Sequence, residues 1–135
     1  MTIRQAIVPP AMRPSADTLS FSPAIRSGDH VFFTGMTGSG PGDTMPDDPT
    51  AQFEAVFDKI ALVLAEAGLT LDAVVEVTSF HVSIRDHFDA FENVLGRRLS
   101  RPGPAWTAVG VAELRRPGAF VEVRVIARST PSKTA

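Results

Sequence analysis

Glu122 is the residue best suited to do chemistry. It sits inside the apolar run Val121-Glu122-Val123, about fifteen residues after Pro104-Ala105-Trp106-Thr107 opens another apolar segment. A carboxylate set beside an apolar side chain such as Phe21 or Trp106 loses hydration, which raises its pKa towards the range where it works as a general acid or base. Glu122 also has a plainer reading, as the ion-pair partner of Arg124 or of an arginine from another subunit. Trp106, the only tryptophan in the chain, is by composition a packing residue first and a ligand platform second. Both pairs of readings are open at this stage.

Other chemistries lack their residues. Cysteine is absent, which removes thiol nucleophiles, disulfides and cysteine metal sites together. His30, His81 and His87 show no metal-ligand spacing, so no metal site is expected. Gly38-Ser39-Gly40-Pro41-Gly42 resembles a phosphate loop only in its glycines, since no Lys-Ser/Thr follows and no helix opens directly from it. There is no Gly-x-Ser-x-Gly elbow. A net charge of −2 with scattered arginines gives no basic stripe, so nucleic acid is not the expected partner. No membrane segment or basic, apolar leader is seen, and a cytoplasmic address is the default expectation.

The elements that would position Glu122 follow from period and punctuation. A chain of 135 residues fits a single domain, 1–135, burying about two-thirds of its unfolded surface. Residues 1–20, with Pro9, Pro10 and Pro14, read as an extended arm, and 129–135 as a flexible tail. Ala24-Ile25-Arg26 and His30 to Thr34 flank a Ser27-Gly28-Asp29 turn and predict a hairpin. The glycines and prolines from Met36 to Asp47 predict a mobile loop. Asp48 as cap, Pro49 in the first turn and Gly68 as terminator bound a helix whose buried face is Phe53, Val56, Phe57, Ile60 and Leu64. Val74 to Ile84 reads as a central strand. A second helix is expected from about Asp86 to Leu99 around Phe88, Phe91, Leu95 and Leu99. Ala105 to Leu114 and Ala119 to Arg128, joined through Pro117-Gly118, are expected to pair as a hairpin. In the last strand, Val121, Val123, Val125 and Ala127 share one face, while Phe120, Glu122, Arg124 and Ile126 share the other. The order ββαβαββ predicts an α+β fold with two helices on one face of a largely antiparallel sheet. The mixed second face then needs a cover, for which another copy of the chain is the expected source.

From about Phe21 to Ala127 the sequence resembles the RidA (YjgF/L-PSP) family of enamine/imine deaminases. The resemblance lies in Phe21-Ser22-Pro23-Ala24-Ile25, in Phe32-Phe33-Thr34-Gly35-Met36, in Ala67-Gly68-Leu69-Thr70-Leu71-Asp72-Ala73-Val74-Val75-Glu76-Val77-Thr78, in Phe88-Asp89-Ala90-Phe91-Glu92, and in Pro104-Ala105 with Val121-Glu122-Val123. It implies a chorismate-mutase-like subunit, a homotrimer with clefts between neighbours that hold a small-molecule substrate or ligand, and hydrolysis of reactive enamines and imines without metal or cofactor. Carried over to this chain, Glu122 would position or polarise water, and Gly35 and Ala108 would offer main-chain groups. Phe21 would wall the cleft, and Met36, Glu92, Trp106 and Thr107 stand at the remaining substrate-binding positions.

Four of those positions depart from the motif. Phe21 replaces Tyr, Met36 replaces Gln, Glu92 replaces Asn, and Trp106 replaces the arginine that would grip a substrate carboxylate. Indole offers one uncharged donor where guanidinium offers a charged planar fork. Hydrogen bonds to charged groups are worth about 1.5 to 3 kcal/mol each, so the change implies weak binding of 2-aminoacrylate and a more apolar cleft. The first reading is therefore an enzyme of altered specificity. The alternative is a non-catalytic, metabolite-binding trimer of the same fold.

Overall fold

The computed structural model describes residues 3–129. The strands are β1 (Gln5–Ile7), β2 (Ala24–Ser27), β3 (His30–Phe33), β4 (Val74–Val82), β5 (Ala105–Val111) and β6 (Val121–Arg128); the helices are α1 (Arg13–Thr18), α2 (Pro49–Glu66) and α3 (Ile84–Arg98). They build an α+β fold on one six-stranded sheet in the order β1-β2-β3-β6-β4-β5. Every neighbouring pair is antiparallel except β4 and β5.

The helix signals act as the sequence predicts. Asp48 Oδ2 accepts the Ala51 N–H at 2.9 Å, and Pro49 occupies the first turn, where its missing N–H costs nothing. Gly68 closes α2 at φ +76°, a conformation that admits glycine freely. Phe53, Val56, Phe57, Ile60, Val63 and Leu64 are fully buried, each worth roughly 1.5 to 3 kcal/mol of apolar burial. Phe91 of α3 meets Phe53 edge-on at 5.3 Å. At the surface, Arg97 and Arg98 reach across from α3 to Glu54, and Arg98 also to Asp58. The hydrogen bonds from Arg97 and Arg98 hold the Glu54 carboxyl below its usual range.

Three expectations need correction, and a fourth falls mostly outside the described residues. The N-terminal arm is not simply extended: β1 pairs with β2 and Pro14 lies in the first turn of α1, where proline is compatible with helix. The tail expected at 129–135 lies outside the described residues except for Ser129, whose N–H donates to Asp29 O at 2.6 Å. β5 and β6 do not form a hairpin. Gly118 does turn the chain at φ +82°, but the return strand passes over β4 and docks on its far side, because α3 has already placed β5 parallel to β4 as a crossover requires. Finally, the glycine-rich loop is fastened at its start. Lys59 Nζ donates to Thr37 O at 2.7 Å and to Ser39 Oγ at 3.2 Å, and Gly38 lies so close to α2 that a Cβ there would meet Gln52 O at 2.6 Å. Burial, aided by the nearby Arg116 charge, lowers the Lys59 pKa.

Gln52 ties this region together. Its buried amide donates to Pro46 O and Gly118 O and accepts from Phe120 N–H, each at 2.8 Å. The clamp fixes the chain two residues before Glu122. Gln52→Leu removes all three partners while leaving their backbone groups in place, and is expected to cost about 3 kcal/mol or more. Urea denaturation should show a lower midpoint with unchanged slope, and an unmoved midpoint would remove the clamp from the account.

Candidate functional site

Glu122 projects from near the start of β6 on the face away from the helices. Its neighbours Val121 and Val123 are fully buried on the helix side, and Phe80 of β4 stands directly beside it. Past the end of β3 the backbone of Met36 exchanges two 2.8 Å hydrogen bonds with Val123, which carries Gly35 against the Glu122 side chain. A Cβ on Gly35 would lie 2.9 Å from Glu122 Cδ and 3.0 Å from Cγ, closer than real Cβ contacts allow. Glycine is therefore needed here for space. Thr34 holds the preceding segment, its N–H donating to Pro23 O at 3.0 Å and its hydroxyl to Ser22 O at 2.6 Å, and Phe21, just before it, has 53% of its surface exposed.

Two expectations change here. Met36 is core, 7% exposed, with its N–H and C=O both engaged by Val123. Glu122 makes no ion pair with Arg124 among the described residues, and Arg124 points into solvent.

Trp106 lies on the other face of the sheet. In the β4/β5 register it pairs with Val77, and Ala108 pairs with Ser79, so its ring packs under α3. It stacks on Phe88 with centroids 5.2 Å apart and planes 2° from parallel, and it tilts against Phe91 at 5.8 Å. Its Nε1–H donates to Ser79 Oγ at 2.8 Å, and Ser79 Oγ lies 2.7 Å from His81 Nε2. Ser79 and His81 are fully buried. Burial, with a smaller push from His87, drives the His81 pKa down to about 4, so the imidazole is neutral near pH 7. Its Nδ1 is buried without a hydrogen-bond partner. Glu92, exposed, is one turn along α3 from Phe88. Thr107 is exposed on the Glu122 face, separated from β6 by β4. β5 is an edge strand, so main-chain groups around Ala108 face outward unpaired by the sheet.

The structure thus sets Gly35 against Glu122 on one face of the sheet and Trp106 and Ala108 on the opposite face. Ser79, His81 and Gln52 were missed by motif reading. Their signal was present in parity: Val77, Ser79 and His81 alternate onto the core face of β4, which marks two buried polar side chains in need of partners. An open crevice of about 490 Å³ among residues 112–120, lined by Arg115, Arg116 and Phe120, contains none of the expected site residues. Among the described residues no cluster of three or more His, Asp or Glu is placed to hold a metal, and no helix is long and apolar enough to cross a membrane.

Comparison with known proteins agrees with this geometry. The family described as Endoribonuclease L-PSP matches residues 12–129. The chain belongs to the YjgF/RidA (L-PSP) family. A curated relative, the RutC family protein YjgH of Escherichia coli K12, is 38% identical over 129 residues, covering 95% of this chain and 97% of the relative. The solved structure of protein YJGH superposes with a TM-score of 0.83 at 34% identity, over 97% of this chain and all of the other. RidA from an Antarctic Psychrobacter superposes at 0.78 with 28% identity, covering 95% and 99%. The YjgF/RidA frame accounts for the sheet order that local turn signals misread.

Two outcomes follow from the geometry. Gly35→Ala should leave melting nearly unchanged, because the clash falls on the movable end of a side chain, while displacing the Glu122 carboxylate and lowering any turnover by about 10- to 100-fold. Wild-type turnover in that variant would separate Gly35 from the site. His81 has a folded pKa below its unfolded value of 6.5, so the unfolded chain takes the proton first on acidification. Stability is complete above about pH 6.5 and falls by roughly 3 kcal/mol as the pH drops to about 4. Urea midpoints at pH 7.5 and 4.5 should differ less in His81→Gln than in wild type; equal differences would contradict the assignment.

Proposed function

We propose that this chain is a homotrimeric hydrolase of reactive enamine and imine intermediates, with a chorismate-mutase-like subunit and a more apolar cleft between subunits. The observation that carries the reading is the separation of two half-sites, one at Glu122 and one at Trp106. Each is open to solvent on one side, and they lie on opposite faces of one sheet, so a small substrate reaches both only where two copies meet. The face around Glu122 also asks for a partner: Ile25, Phe32 and Ile126 align across β2, β3 and β6, with Phe32 45% exposed. An apolar strip of this kind is stable in water when a second copy covers it.

In the joined cleft Glu122 accepts a proton from water as the oxygen adds to the imine carbon. It then returns the proton to nitrogen, the C–N bond breaks, and ammonia and a carbonyl compound leave. No metal or cofactor takes part in this scheme. The charge pattern argues against RNA as the substrate, since Arg97, Arg98 and Arg116 are engaged by Glu54, Asp58 and Asp43.

Ammonia release from a panel of enzymatically generated imines tests the reading. Wild type should accelerate release as a particle of three subunits by light scattering, and Glu122→Gln should keep that mass while losing about 100-fold or more in turnover. Full turnover by the variant would remove Glu122 from the mechanism. Ligand binding by wild type without turnover of any panel member would favour the non-catalytic binding trimer.

A further inference from the structure

The indole under α3 has nothing to offer an anion. The indole carries one hydrogen-bond donor, and Ser79 occupies it at 2.8 Å. Ser79 is buried completely, so it has no water to exchange for the indole. The same Ser79 oxygen accepts from Trp106 and is hydrogen-bonded to His81 Nε2 at 2.7 Å. One face of the indole is closed by Phe88, parallel to within 2°. A ligand at Trp106 therefore meets the remaining apolar surface of the indole, and Glu92 lies exposed one turn along α3 from Phe88. Of the cations on α3, Arg97 and Arg98 are tied to Glu54 and Asp58 and Arg85 is exposed one turn before Phe88, while Arg124 stands on the other face of the sheet.

We propose that Ser79, with His81 behind it, is a positioning residue that fixes Trp106 as an aromatic wall, and that this half-site selects imines derived from amines over imines derived from amino acids. The inference rests on the hydrolase reading above and names its substrate class. A carboxylate beside the C=N carbon would give up its water against indole and find no donor on the ring. A protonated iminium is attracted to the aromatic surface. The reaction balances as one iminium and one water giving one aldehyde or ketone and one ammonium ion, with the new C=O oxygen supplied by water.

The test uses a matched pair. The imine made from phenethylamine by an amine oxidase and that made from phenylalanine by an amino-acid oxidase differ by one carboxylate. Wild type should show kcat/KM about tenfold or more higher for the first; equal values or the reverse order would overturn the proposal. Binding supplies an arm independent of turnover, because Trp106 is the only tryptophan and its fluorescence reports the half-site directly. Phenethylamine should quench it saturably with a Kd about tenfold or more below that of 3-phenylpropionate, and a tighter carboxylate would refute the selectivity. If this preference holds while neither imine is hydrolysed, the selectivity stands and the hydrolase reading falls. Ser79→Ala should shift Trp106 emission and raise KM for the amine-derived imine with kcat little changed. A lower melting temperature with emission and KM unmoved would make Ser79 merely structural.

Discussion

The close approach of Gly35 to Glu122 is the constraint on which the site depends. β6 lies between β3 and β4 and is hydrogen-bonded on both sides, so its register is set twice. A slip of one residue would turn Glu122 into the core and Val121 or Val123 out of it. Four fully or nearly fully buried side chains on the helix face, Val121, Val123, Val125 and Ala127, oppose that slip. Gly35 then lets the carboxylate lie flat against the turn after β3, where any side chain would displace it. The Gln52 clamp and the Met36–Val123 pair hold the two backbones at that separation.

The second half-site obeys a different logic. Where the YjgF/RidA motif carries a charged fork, this chain places an indole, and the interior has been arranged around it. Phe88 stacks on it, Phe91 tilts against it, and the Ser79 hydroxyl takes its N–H. A buried serine and histidine are costly unless bonded to one another or to a third group. Trp106 supplies that third group, which makes the ring a packing residue.

Much of this was legible in the residues. The alternation from Phe120 to Ala127 placed Glu122 on the correct face, and Asp48, Pro49 and Gly68 bounded α2 to within a residue or two. Pro117-Gly118 announced a reversal, but turn chemistry is local and says nothing about which strand receives the returning chain; the crossover through α3 decides that β4 does. Pro14 was read as part of an extended arm because a proline in the first turn of a helix and one in an extended arm look alike in isolation. The face chosen by Trp106 was hidden for a related reason. Period two assigns Trp106 and Thr107 to opposite faces without saying which face α3 covers, and only the register with Val77 and Ser79 settles it.

The central claim is that one cleft takes Glu122 from one subunit and Trp106 from its neighbour. Mixing tests it most directly. Glu122→Gln and Trp106→Ala, each impaired alone, should regain activity when unfolded and refolded together, because a mixed trimer contains clefts with both native residues. Equal mixing predicts recovery to about a quarter of wild-type turnover for random assembly around a threefold axis. Activity of the co-refolded mixture no greater than the mean of the two separate variants, in particles shown to be mixed, would contradict a cleft shared between subunits.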